Sequence, residues 1–130
     1  MKPYLLVEWN DSKTDAMGWM CVFNTVKGYA DGGIRMHKNV SKEEVVRLAT
    51  TMAWKHEACK HLSSGGCKAG IKYDYKAPDA EEVLERFILA MLPYIDAGIS
   101  LAGDLGVPYS TTLAIYAKHG REIPLTKTMR

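Results

Sequence analysis

The chain is 130 residues long, 47% hydrophobic and carries a formal net charge of +2, which fits one globular domain with a single core and little apolar material to spare. Its 17 basic and 15 acidic residues are interspersed, and no Lys/Arg cluster alternates with aromatic residues, so the electrostatic footprint of a nucleic-acid binder is missing. The longest unbroken apolar run, Phe87 to Leu92, is far too short to cross a bilayer, and three cysteines without a CxxC pair, behind a start that does not read as a signal peptide, point to the reducing cytoplasm.

Pro3 to Trp9 and Gly18 to Val26 are rich in aromatic and β-branched residues and flank the polar segment NDSKTDAM, which predicts two strands joined by a turn. A third short strand is expected over Gly33 to Met36. Ser41 followed by Glu44 is a capping-box signature, and Val45, Leu48, Ala49, Met52 and Cys59 recur at helical spacing, so a helix should run from Lys42 to His61. SSGGC is expected to stop it, and the alternation from Ala69 to Tyr75 reads as a strand entered through that glycine loop. Pro78, Asp79 and Glu82 open a second helix with Val83, Phe87, Ala90, Met91 and Tyr94 on its apolar face and Pro93 kinking or ending its last turn. Gly98 to Ala102 reads as a short buried strand, GDLG as a loop, and Ser110 to His119 as a last helix stopped by Gly120. Strands first, then helix and strand in alternation, give an α/β fold class: a single domain over residues 1–130 with a mixed β-sheet flanked by helices.

Two lysines draw attention. At 100° per residue Lys55 lies about 20° around its helix from Leu48 and about 40° from Cys59, on the stripe expected to face inward. Either it sits at the edge of that stripe and snorkels to water, or it points into a cleft to hold an anion. Lys68 stands among glycines in SSGGCKAGI. Its spacing fails as a phosphate-binding loop, which needs Gly-Lys-Ser/Thr after four intervening residues. It is either an exposed loop lysine or a second ammonium lining the same crevice as Lys55, where mutual repulsion is one route to a lysine that works as acid or base. Asp104, just past a buried strand, is placed where α/β folds keep their ligand chemistry, or is a turn residue. His56, Cys59, His61 and Cys67 lie close together in sequence, but HEACKH is one residue too long for HExxH and turns its two histidines about 140° apart, so no metal is expected. No strand leads into Gly-x-Gly-x-x-Gly.

GYADGGIRMH, the capped helix reaching MAWKHEA, SSGGCKAGIKYD and SLAGDLGV resemble, in order and spacing from Val7 to Gly120, the N-terminal domain of the glutamate/leucine/phenylalanine/valine dehydrogenases. The resemblance implies reversible oxidative deamination of an L-amino acid to a 2-oxo acid and ammonia, with NAD or NADP as hydride acceptor. It implies that the nucleotide is bound by a C-terminal Rossmann-type domain and not by this one, so this chain alone is expected to turn nothing over, and that the domain makes the contacts of a homo-oligomer. By position, Gly32 and Gly33 match a glycine pair of the substrate pocket, Lys55 the lysine on the substrate α-carboxylate, Lys68 the catalytic lysine that activates water, and Asp104 the aspartate that shuttles protons to and from the amino group.

Two departures stand out. The residue before the glycine pair is a lysine in the glutamate enzymes, pairing with the substrate's side-chain carboxylate, and apolar in the leucine and phenylalanine enzymes; here it is Asp31. If it points into the pocket, glutamate is disfavoured and a cationic or hydrogen-bonding side chain is favoured. Leu101 stands where the family usually has proline, a departure that implies a shift of the loop carrying Asp104. The competing class is a stand-alone amino-acid-binding or interaction module without catalysis.

Overall fold

The computed structural model describes residues 2–58 and 64–122. Five strands form one mixed sheet in the order β1-β2-β4-β3-β5. β1 (Leu5–Asn10), β2 (Met17–Val22) and β4 (Gly65–Lys72) pair antiparallel, while β4, β3 (Ala30–His37) and β5 (Ile99–Gly103) run parallel. Parallel neighbours need a crossover, and α1 (Lys42–Ala58) and α2 (Ala80–Ala97) supply it; α3 (Tyr109–Lys118) follows β5. The expected fold class is the one observed.

Alternation along the strands sorts side chains between two faces. Met20 and Val22 of β2, Ile34 and Met36 of β3, and Cys67, Ala69 and Ile71 of β4 form the main core with Val83, Phe87, Ile88 and Met91 of α2 and Ile115 and Tyr116 of α3. The opposite face, with Trp19 and Cys21, packs under Val45 and Ala49 of α1. β1 is an edge strand whose residues alternate half-buried and exposed; Trp9 meets Phe87 edge-on at 5.3 Å. Asp11, in the turn after β1, takes a two-pronged hydrogen bond from Arg86 of α2 at 2.7 and 2.9 Å and one from Thr14 at 2.6 Å.

The capping box holds in its first half, with the Glu44 amide donating to Ser41 Oγ at 3.1 Å. α1 is described to Ala58; the predicted end at His61, with Cys59, lies outside the described residues. α2 continues past Pro93, whose ring is exposed and whose missing N–H interrupts one bond without ending the helix. Its buried face is Val83, Leu84, Phe87, Ile88, Met91 and Ile95, and Ala90 is exposed. Gly98 caps α2 at φ 129° and Gly120 ends α3 at φ 74°, both in the left-handed region that glycine tolerates.

The largest correction concerns β4. It begins at Gly65 rather than Ala69, so Lys68 is not a loop residue but sits in the middle of a central strand, 6% exposed. Gly66 and Gly70 flank it on the same face, and both are filled by α1. A Cβ on Gly66 would stand 2.2 Å from the Ala53 nitrogen, and one on Gly70 would stand 2.6 Å from a methyl of Val45. The glycines around the lysine therefore clear room for a helix, laid directly on the strand through its small residues Ala49 and Ala53.

Candidate functional site

Lys68 and Gly33 lie on neighbouring strands, and Asp104 directly follows the next one, β5. Ile34 of β3 pairs with Ala69 of β4 and with Gly103 of β5, which puts Gly33 level with Lys68 and beside the strand that leads to Asp104. A Cβ at Gly33 would lie 2.8 Å from the Gly103 carbonyl and 3.1 Å from the Asp104 Cβ. With no side chain there, Lys68 reaches across β3 and its Nζ donates to Asp104 Oδ2 at 2.8 Å. Gly32 has a different reason: its Cβ would meet the Cys67 carbonyl oxygen at 1.8 Å. Both glycines are required by close approach, Gly32 to the backbone of β4 and Gly33 to the segment leading to Asp104.

The pair is not alone. Arg35, two residues along β3 from Gly33 and on the same face, donates from Nε to the same Oδ2 at 2.9 Å. Its Nη1 lies 3.7 Å from Glu44 Oε2 in the first turn of α1. The Lys68 side chain is 8% exposed and that of Asp104 27%. Burial, the strongest single influence on Asp104, pushes its pKa up, but the hydrogen bonds and positive charges of Lys68 and Arg35 together outweigh it and hold the carboxyl below its usual range. Asp104 also lines an open hollow of about 590 Å³ with Tyr75, Leu105, Gly106, Val107 and Pro108. Leu101 does not move Asp104 out of reach: it is fully buried in β5, opposite Gly32.

Asp31 turns inward, not to solvent. Its Oδ1 is buried without a hydrogen bond and stands 3.5 Å from Nε2 of His56 in the last turn of α1. The other ring nitrogen, Nδ1, is 3.0 Å from the Gly65 carbonyl, and since a carbonyl only accepts, Nδ1 carries the hydrogen.

Lys55 is the residue the structure does not bring in. It is exposed, and among the described residues it forms no hydrogen bond or ion pair, with Lys68 or with any other group. The buried stripe of α1 is Val45, Ala49 and Ala53, and Lys55 lies about 120° around the helix from Ala49. The expectation of two ammonium groups sharing a crevice is thus replaced by one buried ammonium between carboxylate and helix. Arg35 was missed because nothing local marks it; its partner Asp104 is 69 residues away.

Lys68 in the middle of β4, Arg35 in β3 and Asp104 just past the carboxyl end of β5 thus form a partly buried charged cluster on a mixed α/β sheet. Residues 6–119 match the model of the Glu/Leu/Phe/Val dehydrogenase dimerisation domain, and the chain belongs to that family. It is 36% identical over 97 residues to a glutamate dehydrogenase of Thermotoga maritima, covering 75% of this chain and 23% of that protein. It is 30% identical over 88 residues to an NADP-specific glutamate dehydrogenase of Saccharolobus shibatae, covering 65% of this chain and 21% of that one. The fold superposes with TM-score 0.78 and 26% identity on a hetero-hexameric glutamate dehydrogenase of Thermus thermophilus solved with leucine bound, covering 94% of this chain and 33% of that one. The matched segment thus spans about a quarter of the length of the curated relatives.

Proposed function

We propose that this chain is the substrate-binding and subunit-contact domain of an NAD(P)-dependent L-amino-acid dehydrogenase, which interconverts an L-amino acid with a 2-oxo acid and ammonia. The observation that carries the reading is the buried Lys68 ammonium 2.8 Å from the Asp104 carboxylate, a proton donor and acceptor joined over a glycine. Lys68 holds a proton at Nζ and, on yielding it, serves as base toward a water; Asp104 takes and returns protons at the substrate amino group. Lys55, which is exposed, is assigned to the α-carboxylate on its position in the family's motif alone. No turn of this chain has the glycine spacing of a dinucleotide site, so these residues do not fit the nicotinamide nucleotide, and its binding is assigned to a C-terminal Rossmann-type domain outside them. Family membership in a dimerisation domain supports a symmetric assembly of like subunits.

Asp31 is assigned to the substrate side chain by its place before the glycine pair; its neighbour in the structure is His56 Nε2 at 3.5 Å, so the assignment requires the carboxylate to face the substrate as well. Two carboxylates held about 4 Å apart repel by about 4 kcal/mol at the effective dielectric of such sites. The reading therefore assigns a cationic or hydrogen-bonding side chain to the substrate and disfavours glutamate.

The test is amino-acid-dependent reduction of NAD⁺ or NADP⁺ by the polypeptide of the complete reading frame, followed by absorbance, with Lys68→Ala and Asp104→Asn beside the wild type. Turnover lost in both variants is expected. A complete frame with no turnover, or a Lys68→Ala enzyme as fast as the parent, overturns the dehydrogenase reading. A preference for glutamate, or one unchanged by Asp31→Leu, overturns the substrate assignment.

A further inference from the structure

We propose that Arg35 is a positioning residue of the Lys68–Asp104 pair: held by Glu44, it keeps the Asp104 carboxylate oriented and anionic in whichever protonation state Lys68 is found. The inference rests on reading Lys68 and Asp104 as a proton-handling pair.

The geometry is specific. Lys68 Nζ and Arg35 Nε meet the same oxygen, Oδ2, at 2.8 and 2.9 Å, and among the described residues Oδ1 has no protein donor. The carboxylate is thus fixed through one oxygen and offers the other. A lysine and an aspartate alone in a buried site can collapse to a neutral pair by moving one proton from Nζ to the carboxylate, because two buried charges are costly. Such a collapse would spend the base and the acid against each other. A guanidinium does not lose its proton in proteins. With Arg35 on Oδ2, protonating Asp104 would leave the guanidinium facing a neutral acid, so the ion-paired arrangement is favoured. When Lys68 yields its proton elsewhere, Asp104 still has one full cation on the same oxygen.

Arg35 is held in turn. Glu44 Oε2 lies 3.7 Å from its Nη1, Arg47 lies 4.0 Å from the same Glu44 oxygen, and the Glu44 backbone is pinned by Ser41. The charged groups that meet Asp104 are therefore Lys68 from β4 and Arg35 from β3, with Glu44 of α1 behind Arg35 and the Tyr75 phenol along the hollow. The depressed proton affinity of Asp104 agrees with this arrangement.

The experiment follows the Asp104 carboxyl by ¹³C NMR across acid pH in the 130-residue chain labelled at aspartate, the signal being assigned with Asp104→Asn. Arg35→Met is expected to raise the proton affinity of Asp104 about tenfold. Arg35→Lys should restore most of the loss. Should Arg35→Met fail to fold, Arg35→Gln, which keeps a donor and much of the packing but loses the charge, carries the same reading. A folded Arg35→Met chain whose Asp104 titrates as in the wild type overturns the proposal, as does an unchanged titration in Arg35→Gln where Arg35→Met is unfolded. The titration needs no turnover, so a chain without dehydrogenase activity refutes the function above and leaves this inference to its own result.

Discussion

Removing either partner of the Lys68–Asp104 bond should destabilise the domain, but unequally, and the inequality tests the cluster. In Lys68→Met a charge-assisted hydrogen bond is lost, yet the buried ammonium goes with it and Asp104 keeps Arg35 at 2.9 Å; a net cost of about 1 kcal/mol is expected. In Asp104→Asn the anion disappears from between two cations. Because both nitrogens contact Oδ2, at 2.8 and 2.9 Å, they stand within about 6 Å of each other, and at an effective dielectric of about 20 their bare repulsion is about 3 kcal/mol. Burial of the ammonium adds to this, for a total on the order of 3–5 kcal/mol. At about 4 °C per kcal/mol for a chain of this size, thermal unfolding followed by circular dichroism at pH 7 should show a drop of about 4 °C for Lys68→Met and of about 12 °C or more for Asp104→Asn. The double variant should fall less than Asp104→Asn alone, since it removes the stranded cation. A Lys68→Met chain less stable than Asp104→Asn would refute the reasoning.

Gly33→Ala should cost about 1–3 kcal/mol by overpacking and move Asp104 from Lys68, seen as a changed Asp104 carboxyl signal; Gly66→Ala, against the Ala53 backbone, should be worse in urea unfolding than Gly70→Ala, which meets only valine methyls. Asp11, held at a pKa of about 2 by the hydrogen bonds of Arg86 and Thr14 against its burial, has a lowered folded-state pKa. Its contribution is therefore complete above the unfolded value near 3.8 and is lost as pH falls toward 2; in acid-induced unfolding Arg86→Met should flatten that part of the stability curve, and an unaltered curve would refute a stabilising role for the Arg86–Asp11 pair. Lys55→Ala, at an exposed position, should change stability by less than about 0.5 kcal/mol while weakening amino-acid binding by calorimetry; unchanged affinity would remove Lys55 from the site.

The residues of the candidate site differ in how far the sequence marks them. Lys68, Asp104 and the glycine pair stood out because their neighbours are small and their motifs fall in a family's order. Arg35 and Glu44 looked like ordinary charged residues, since the contact that gives each a role lies across the sheet. Asp31 was conspicuous as a departure, but its direction, toward His56, depends on α1 ending over β3 and β4.

The sequence by itself determined the fold class, the succession of strands and helices, the Ser41 cap and the stop at Gly120, because these depend on local periodicity, capping and turn chemistry. Tertiary structure decided where β4 begins, which face of α1 is buried and which charges meet. A run of glycine carries no apolar signal, so only the seating of Ala53 on Gly66 and Val45 on Gly70 shows that those residues are strand. Leu48 and Met52 are half-buried beside the Ala49 stripe, which made the stripe appear wider toward Lys55 than it is. Ion pairs linking residues 69 and 75 positions apart are set by strand order and register, and no local pattern encodes those.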